Sequence, residues 1–250
     1  MKRVLDILLS FIGLIAASPV LLPVMFRVWR QDGHSPFYVA PRTARNDGIF
    51  RMVKLRSMIK NADKSGVDST AAGDMRITPV GQFIRRYKLD ELTQLWNVLK
   101  GDMSLVGPRP NVKRETDLYT QEERGLLRVQ PGITDFSSIV FSDEGDILAG
   151  KEDPDIAYNQ LIRPWKSRLG LFYIAHSSLW LDVRLIWLTA MAILSKPRAL
   201  QGVVAILESL GAPADMLSVA RRDRELVPTP PPGAAGIVTS RDGSVAAQGL

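Results

Sequence analysis

A long apolar segment near the N-terminus constrains the fold most, because it must be buried in protein or in lipid. Residues from Val4 to Met25 are almost entirely apolar, and as a helix they would be about 33 Å long, enough to cross the hydrocarbon core of a bilayer. Ser18 and Pro19 interrupt the segment, and proline lacks the N–H that a helix interior uses. The pattern therefore predicts a membrane helix that is broken at Ser18-Pro19.

Positive charge flanks this segment on both sides, so charge asymmetry does not favour either orientation of a spanning helix. Lys2 and Arg3 precede the apolar residues, and Arg27 and Arg30 follow them. A re-entrant helix that enters one leaflet, turns at the proline and returns would leave both charged ends on the cytoplasmic face. The alternatives are a cleaved signal peptide, which Asp6 disfavours, and an ordinary spanning anchor.

Two adjacent carboxylates follow a basic segment in the middle of the chain. Asp90 and Glu91 come shortly after Arg85 and Lys88. Leucine and tryptophan residues recur behind them at helical spacing until Gly101, which predicts a helix with Asp90 at its N-cap. An isolated Asp-Glu pair is most often only a helix cap, so the pair alone does not establish a site.

The surroundings of the pair indicate phosphate chemistry. Arg109 lies between two prolines in the segment Gly107-Pro108-Arg109-Pro110, and these prolines restrict the backbone that carries the guanidinium. Cations attract phosphate oxygens, one carboxylate can attack phosphorus, and its neighbour can hold a divalent metal ion. The combination predicts a phosphoryl-transfer site around Asp90, Glu91 and Arg109.

A set of short motifs in the central block follows one known pattern. These motifs are Gly73-Asp74, Arg76-Ile77-Thr78, Gly81, Arg85-Arg86, Leu89-Asp90-Glu91-Leu92, Gln94-Leu95, Asn97-Val98, Gly101-Asp102-Met103-Ser104 and Val106-Gly107-Pro108-Arg109-Pro110. With them, the chain resembles the bacterial sugar transferases, which are monotopic polyprenyl-phosphate phosphoglycosyl transferases, and a looser resemblance runs from Lys2 to about Ala199. The resemblance implies an α+β, mainly helical fold with an N-terminal re-entrant membrane helix, a small cytoplasmic catalytic domain and interfacial amphipathic helices.

The resemblance also implies an activity and the residues that carry it. Members of the family transfer a phosphosugar from a UDP-sugar to polyprenol (undecaprenyl) phosphate and release UMP, which initiates the synthesis of a surface glycan. By this resemblance Asp90 is the nucleophile that forms a covalent intermediate, and Glu91 binds Mg²⁺. Arg109 and Pro110 match the loop that contacts the nucleotide diphosphate, whereas Arg85 and Lys54 match basic positions near the site.

The expected partners are the UDP-sugar, the polyprenol phosphate, membrane lipids and downstream glycosyltransferases. The expected location is the bacterial inner membrane, with the catalytic domain on its cytoplasmic face. A net charge of +6 suits anionic lipids and phosphate ligands but would suit nucleic acid equally well. The absence of cysteine excludes disulfides and thiolate metal sites.

Two rival functions are a catalytically silent membrane adaptor of the same fold and a basic nucleic-acid-binding module. Retention of Asp90, Glu91 and Arg109 argues against the adaptor. The chain has no recognisable nucleic-acid-binding motif and no aromatic stacking platform, so we expect no nucleic-acid partner.

Three segments are predicted: the membrane helix at residues 1–30, the catalytic domain at 31–199, and a C-terminal extension at 200–250. The extension becomes rich in proline and small residues and is expected to be largely disordered from about residue 221. Within the catalytic domain, residues 135–146 and Gly170 depart from the family pattern: acidic residues replace a stretch that usually contains arginine, and glycine replaces a common acidic residue. These departures leave the donor sugar unassigned.

Local patterns predict several elements around the site. They are strands at Phe37–Val39 and Ile49–Leu55, a polar flexible loop from about Ala62 to Asp74, a helix from Pro79 to about Tyr87, a helix at Asn111–Gln130, a turn at Pro131–Thr134 and an amphipathic helix at Ser177–Leu194.

Overall fold

Helices dominate the computed structural model, which describes residues 1–62 and 74–241 together with the backbone of residues 245–247. The elements follow in the order α1 (Lys2–Asp32), β1 (Phe37–Thr43), β2 (Ile49–Leu55), α2 (Pro79–Arg86), α3 (Leu89–Leu92), α4 (Leu95–Lys100), β3 (Ser104–Val106), α5 (Lys113–Asp117), β4 (Gly132–Thr134), α6 (Phe136–Val140), α7 (Glu144–Ile147), α8 (Pro154–Ala157), α9 (Arg163–Ala175), α10 (Leu179–Leu194), α11 (Lys196–Ser209), α12 (Ala214–Arg221), β5 (Gly236–Val238) and β6 (Val245–Ala247). The predicted α+β, mainly helical fold is confirmed, and its sheets are small. The predicted loop between Ala62 and Asp74 lies almost entirely outside the described residues.

The N-terminal helix α1 is continuous through Ser18 and Pro19. Pro19 has no N–H for the carbonyl oxygen of Ile15, and the Ser18 hydroxyl donates a hydrogen bond to that oxygen at 2.8 Å. The predicted break therefore does not divide the segment into two helices, and its re-entry into one leaflet stays a prediction. Among the described residues, α1 is the one helix long and apolar enough to cross a membrane.

Both ends of α1 pack on the rest of the molecule. Near the start, the Asp6 carboxylate accepts hydrogen bonds from the Ser104 hydroxyl at 2.9 Å and from the Leu105 N–H at 3.0 Å. Near the end, α1 contributes to an apolar cluster that consists of Leu21, Val24, Val28, Leu55, Ile84 and Leu89. Large apolar side chains remain exposed elsewhere along the helix, namely Leu8, Phe11, Ile12, Ile15, Leu22 and Phe26.

Two small strand pairs frame the centre of the molecule. β1 and β2 are antiparallel with Tyr38 opposite Lys54, so both predicted strands are confirmed and the first extends to Thr43. β3 and β4 pair in parallel, and the predicted turn at Pro131–Thr134 is wrong because three of its residues form β4. Glycine makes this pairing possible, since a Cβ at Gly132 would lie 2.1 Å from the Gly107 nitrogen.

The predicted helix at Asn111–Gln130 is also wrong over most of its length. Only α5 is α-helical, and Glu123–Arg128 forms a 3-10 helix. The buried Glu123 carboxylate accepts hydrogen bonds from the Thr120 N–H and from the Arg163 guanidinium. These contacts compete with a regular helix and tie the segment to α9 instead.

The main core lies between the β3–β4 pair and helices α6, α9, α10 and α11. Its completely or almost completely buried side chains include Phe136, Ile139, Leu169, Leu185 and Val203. The predicted helix at Ser177–Leu194 is confirmed as α10. Helix α11 packs beside α10, and α12 packs against α11 and α9. Part of the C-terminal extension therefore belongs to the core.

Beyond α12 the chain follows the surface of the catalytic domain. Thr120 Oγ1 donates a hydrogen bond to the Pro232 carbonyl oxygen at 2.5 Å, and Gln160 Nε2 donates one to the Val238 carbonyl oxygen at 2.7 Å. The disorder expected from about residue 221 concerns motion in solution and stays a prediction.

Candidate active site

A single cleft brings together all the predicted catalytic and substrate-binding residues. It has a volume of about 1470 Å³, and its walls include Lys54, Arg85, Asp90, Glu91, Arg109 and Pro110. Strand β2, helices α2 and α3, and Arg109 and Pro110 of the residue 107–110 loop contribute to its lining. Residues 141–146, Lys166 and helix α10 contribute further parts of the lining.

The carboxylate pair lies on the short helix α3, whose start differs from the prediction. Lys88, not Asp90, is the N-cap residue, and α3 ends at Leu92 before α4 begins at Leu95. Lys88 has a φ of 54°, a left-handed conformation that costs a non-glycine residue roughly 1–2 kcal/mol. Asp90 is therefore inside the first turn of the helix, with its side chain at the cleft.

Asn97, a buried side chain of α4, holds the carboxylate pair beside strand β2. Its Oδ1 accepts a hydrogen bond from the Val53 N–H at 2.9 Å, and its Nδ2 donates one to the Arg51 carbonyl oxygen at 2.8 Å. The Thr93 hydroxyl reaches the Val53 carbonyl oxygen at 3.3 Å. Because Lys54 follows Val53 on the same strand, these bonds place its ammonium group next to α3.

Asp90 has a loose electrostatic contact. Its Oδ2 lies 4.0 Å from Lys54 Nζ, and within the described part of the chain no hydrogen bond to its carboxylate is found. A carboxylate with uncommitted lone pairs near a cation can act as a nucleophile towards phosphorus. Burial, together with the nearby Arg109 charge, lowers the pKa of Lys54 to about 8 despite the opposing effect of Asp90.

Glu91 has a tight partner instead. Its Oε1 lies 2.9 Å from Arg109 Nη2. Burial raises the pKa of the Glu91 carboxyl, but Arg109, Lys88 and Lys54 together hold it below its usual value. The charge of Glu91 in turn raises the pKa of Arg109. Both groups are thus charged across the physiological range.

The loop that carries Arg109 is fixed by the β3–β4 pair. The Gly107 N–H donates to the Thr134 carbonyl oxygen and the Gly132 N–H donates to the Pro108 carbonyl oxygen, both at 2.9 Å. A Cβ at Gly107 would lie 2.5 Å from the Gln130 carbonyl oxygen. Only glycine permits this close approach, which holds Arg109 at the cleft on a rigid backbone.

Arg85 enters the cleft from helix α2. Thr78 caps this helix by accepting a hydrogen bond from the Gly81 N–H at 2.9 Å, as the sequence predicts. Arg85 Nε donates to the Ser57 hydroxyl at 3.1 Å. Burial lowers the pKa of Arg85 below its ordinary high value. The guanidinium nevertheless stays protonated at physiological pH.

A buried polar cluster behind the Arg109 loop was not predicted from the sequence. Lys2 Nζ donates to Asp182 Oδ2 at 2.6 Å and to the Val106 carbonyl oxygen at 3.0 Å. The Tyr173 hydroxyl donates to Asp182 Oδ1 at 2.6 Å. The start of α1 is therefore connected to the strand that leads into the loop. Lys2 is too far in sequence from Tyr173 and Asp182 for any local pattern to reveal this cluster.

Of the two segments that depart from the family pattern, residues 135–146 include part of the cleft lining, whereas Gly170 lies behind the Arg109 loop. Asp135 caps α6 by accepting a hydrogen bond from the Ser138 N–H, and Glu144 faces the cleft in an ion pair with Lys166. Burial raises the pKa of Glu144, but Lys166, Arg109 and Lys88 more than compensate. Gly170 packs behind the Arg109 loop, where a Cβ would lie 2.8 Å from Leu126 Cδ2 and 3.7 Å from Pro108 Cβ.

The acidic groups of the cleft do not form a metal cage by themselves. Among the described residues, no group of three or more His, Cys, Asp or Glu side chains is arranged to hold a metal ion. Mg²⁺ is commonly bound through one or two carboxylates and the phosphates of a substrate. Glu91, a hard oxygen donor next to the cations Arg109 and Lys54, fits that mode.

Comparisons with known proteins match most of the chain to one family. A sequence profile described as bacterial sugar transferase matches residues 1–196. The chain is 34% identical over 197 residues to a UDP-N-acetylgalactosamine-undecaprenyl-phosphate N-acetylgalactosaminephosphotransferase of Aeromonas hydrophila, covering 78% of the chain and 44% of the relative. It is 34% identical over 214 residues to an undecaprenyl-phosphate galactose phosphotransferase of Salmonella typhimurium, covering 80% of the chain and 41% of the relative.

A third relative is an undecaprenyl-phosphate glucose phosphotransferase of Komagataeibacter xylinus, which is 35% identical over 196 residues, covering 75% of the chain and 35% of the relative. The chain thus spans less than half the length of each of these three relatives. Their names share undecaprenyl phosphate and differ in the sugar.

Proposed function

Because the chain belongs to the bacterial sugar transferase family, we propose that it transfers a phosphosugar from a UDP-sugar to polyprenol phosphate. The products are a polyprenyl-diphosphate sugar and UMP, and the reaction initiates the synthesis of a surface glycan. The named relatives support a polyprenol phosphate acceptor. The differences among their sugars leave the sugar open.

The proposal rests on one observation: two adjacent carboxylates in one cleft have different neighbours. Asp90 lies within 4.0 Å of the Lys54 ammonium group and keeps its lone pairs available, whereas Glu91 is paired with Arg109 at 2.9 Å. A carboxylate that acts as the nucleophile must be free of tight partners, as Asp90 is. A carboxylate that helps to bind the phosphate electrophile is held beside a cation, as Glu91 is.

The proposed reaction has two half-reactions. In the first, an oxygen of Asp90 attacks the phosphorus that bears the sugar, the bond to the UMP oxygen breaks, and UMP leaves. In the second, an oxygen of the polyprenol phosphate attacks the same phosphorus, and the Asp90 carboxylate is regenerated. Lys54, Arg85 and Arg109 bind the phosphate oxygens and orient the phosphorus towards Asp90.

Glu91 is the proposed ligand of Mg²⁺. When bound there with the diphosphate, the ion supplies positive charge that stabilises the charge developing on the phosphate oxygens. Glu91 also anchors Arg109 before the donor arrives, which keeps the guanidinium directed into the cleft.

A membrane location on the cytoplasmic face is part of the proposal, because the acceptor is a lipid. Both ends of α1 contact the catalytic domain, which supports a helix whose two ends lie on the same side of the membrane. Helix α10 exposes Trp180 by 70% and Trp187 by 66%, and such indole rings are suited to the membrane interface.

The proposal is tested by measuring UMP release from a panel of UDP-sugars with detergent-solubilised protein, Mg²⁺ and undecaprenyl phosphate. We expect a stoichiometric release of UMP without the lipid and sustained turnover with it, for one donor or a few related donors. Asp90→Asn should abolish both, while folding and membrane association are unchanged. No release from any donor by folded wild-type protein would instead favour the silent adaptor.

A further inference from the structure

The match to the family profile ends at residue 196, so the C-terminal extension lies outside it. This extension contacts the wall of the cleft. Arg222 follows α12, and its guanidinium donates to both Asp143 oxygens at 3.2 and 3.4 Å. Lys196 Nζ lies 2.5 Å from Asp143 Oδ2. Two cations at or beyond the end of the family match therefore hold one carboxylate of the departing segment.

The backbone of Arg222 indicates that its side chain matters. Arg222 is the C-cap of α12 with φ 57° and ψ 33°, a left-handed conformation in which glycine is usual and other residues are strained. The guanidinium also reaches the Val140 carbonyl oxygen at 3.5 Å and stacks 5.8 Å from the centre of the Phe141 ring. From this strained backbone position, Arg222 contacts Val140, Phe141 and Asp143. We take these contacts to fix the segment that contains all three.

The segment held in this way carries Glu144 into the cleft. Asp143 is the N-cap residue of α7, and Glu144 is the first helical residue after it. Both side chains line the cleft, whereas Arg222 does not. Moving Asp143 would therefore move Glu144 relative to Lys166 and to the Arg109 side of the site.

The charge of Glu144 suits a neutral ligand better than a phosphate. A carboxylate repels phosphate oxygens but accepts hydrogen bonds from hydroxyl groups, and Lys166, its ion-pair partner, can donate hydrogen bonds to the same ligand. Glu144 lies close enough to Arg109 to raise its pKa. A UDP-sugar has two hydroxyl-bearing groups, the uridine ribose and the transferred sugar. The transferred sugar is bound to the phosphorus that Asp90 attacks, and Asp90, like Glu144, lies close enough to Arg109 to raise its pKa.

We propose that Arg222 is a positioning residue that holds Asp143, so that the Glu144–Lys166 pair binds hydroxyl groups of the donor sugar. This inference rests on the proposed function. The C-terminal extension thereby becomes part of the donor site, although it contributes no side chain that touches the reacting atoms.

The test compares Arg222→Ala with Arg222→Lys and with Arg221→Ala. Arg221 is a matched control, because it is the neighbouring arginine and pairs with Glu208 on the exposed surface at 2.5 Å. We expect Arg222→Ala to raise the donor KM about fivefold, the size of a lost interaction inside a connected ion-pair network, with little change in kcat or in the acceptor KM. Arg222→Lys should recover part of this loss, and Arg221→Ala should behave as wild type.

Hydrogen exchange provides a readout that needs no turnover. Amides of residues 141–148 should exchange faster in Arg222→Ala than in wild type or Arg221→Ala. Wild-type turnover with unchanged donor KM and unchanged exchange in Arg222→Ala would overturn the positioning role alone. The absence of UMP release by wild-type protein from every donor would overturn the proposed function and this inference with it.

Discussion

Asp90 and Glu91 are adjacent in sequence, but the fold gives them different neighbours. Glu91 is committed to Arg109 at 2.9 Å, while Asp90 faces Lys54 at 4.0 Å. The difference arises because consecutive residues on a helical turn point in directions about 100° apart. One side chain is thereby left available for attack, and the other holds a cation.

Lys54 should give the enzyme a pH dependence. Its pKa is lowered to about 8 by burial and by Arg109, so the ammonium group is charged below pH 8 and loses its charge as the pH rises through that value. Because the pH profile of kcat/KM reports groups of the free enzyme, we expect donor kcat/KM to fall above about pH 8.

Arginine at the same position separates Lys54 from other titrating groups. Lys54→Arg keeps a charged side chain throughout this range, so the descending limb near pH 8 should disappear or move to higher pH. An unchanged limb in Lys54→Arg would show that another group is responsible.

Helix α1, the candidate membrane segment, contacts two elements of the candidate active site. Its start is bonded to Val106 and Asp182 through Lys2, and its end packs against Leu55 and Leu89. The strand that leads to Arg109 and the helix that carries Asp90 are thus both next to α1.

Cysteine labelling can test the topology of α1, because the chain has no native cysteine. Single cysteines are placed in a short tag ahead of Met1 and at Arg30. Re-entry predicts that an impermeant maleimide labels both in inverted membrane vesicles and neither in spheroplasts. A cysteine at Phe11, an exposed apolar position, should be labelled only after detergent is added.

The control is a cysteine at Asp223, an exposed position on the catalytic side of the chain. Because the proposal places the catalytic domain on the cytoplasmic face, this cysteine should follow the cytoplasmic pattern with either a re-entrant or a spanning α1. Labelling of the N-terminal tag in spheroplasts, with Asp223 protected, would contradict re-entry and support a spanning anchor.

The sequence predicted those features that short-range patterns encode. Thr78-Pro79 marks the start of α2, Gly101 ends α4 in a left-handed conformation, and the apolar run predicts α1. Two of the failures, the turn at Pro131–Thr134 and the helix at Asn111–Gln130, occurred where distant contacts decide the structure. Gly132 forms a strand because it pairs with β3, and the segment around Glu123 leaves the helical pattern because its carboxylate is bound by Arg163.

The site was predicted to the same extent. Motif spacing pointed to Asp90, Glu91 and Arg109, and the fold places all three in one cleft. Asn97 belongs to one of the motifs that carry the resemblance, but its hydrogen bonds to β2 become evident only in three dimensions. No spacing could have connected Arg222 with Asp143.

Stability of the catalytic domain as a whole should depend on the buried Glu123–Arg163 pair. Arg163 Nη2 lies 2.5 Å from Glu123 Oε2, and Ser167 donates to the same carboxylate at 2.7 Å. Glu123→Ala leaves a buried guanidinium without its partner, so we expect the free energy of unfolding to fall by about 3–5 kcal/mol. Denaturant unfolding in detergent measures it.

Glu208→Ala is the matched control for this change. Glu208 pairs with Arg221 on the surface, with roughly half of each side chain exposed. Exposed pairs contribute only about 0–1 kcal/mol, so the unfolding midpoint should hardly move. Similar losses in both variants would contradict the special role of the buried pair.

The proposals give each part of the molecule a role: α1 contacts lipid, the cleft binds phosphate groups, and the C-terminal extension holds the wall of that cleft. Asp90 is the group on which the proposed chemistry depends. Its covalent intermediate requires that a phosphosugar remain attached to the protein when the donor is present and the acceptor is absent.

The most direct measurement is the intact mass of the protein, followed by peptide mapping, after incubation with the active UDP-sugar and Mg²⁺ without polyprenol phosphate. We predict a mass increase of one phosphosugar, located on the peptide that contains Asp90, absent from Asp90→Asn and removed by added polyprenol phosphate. Steady turnover without any adduct, or an adduct on another residue, would contradict the account.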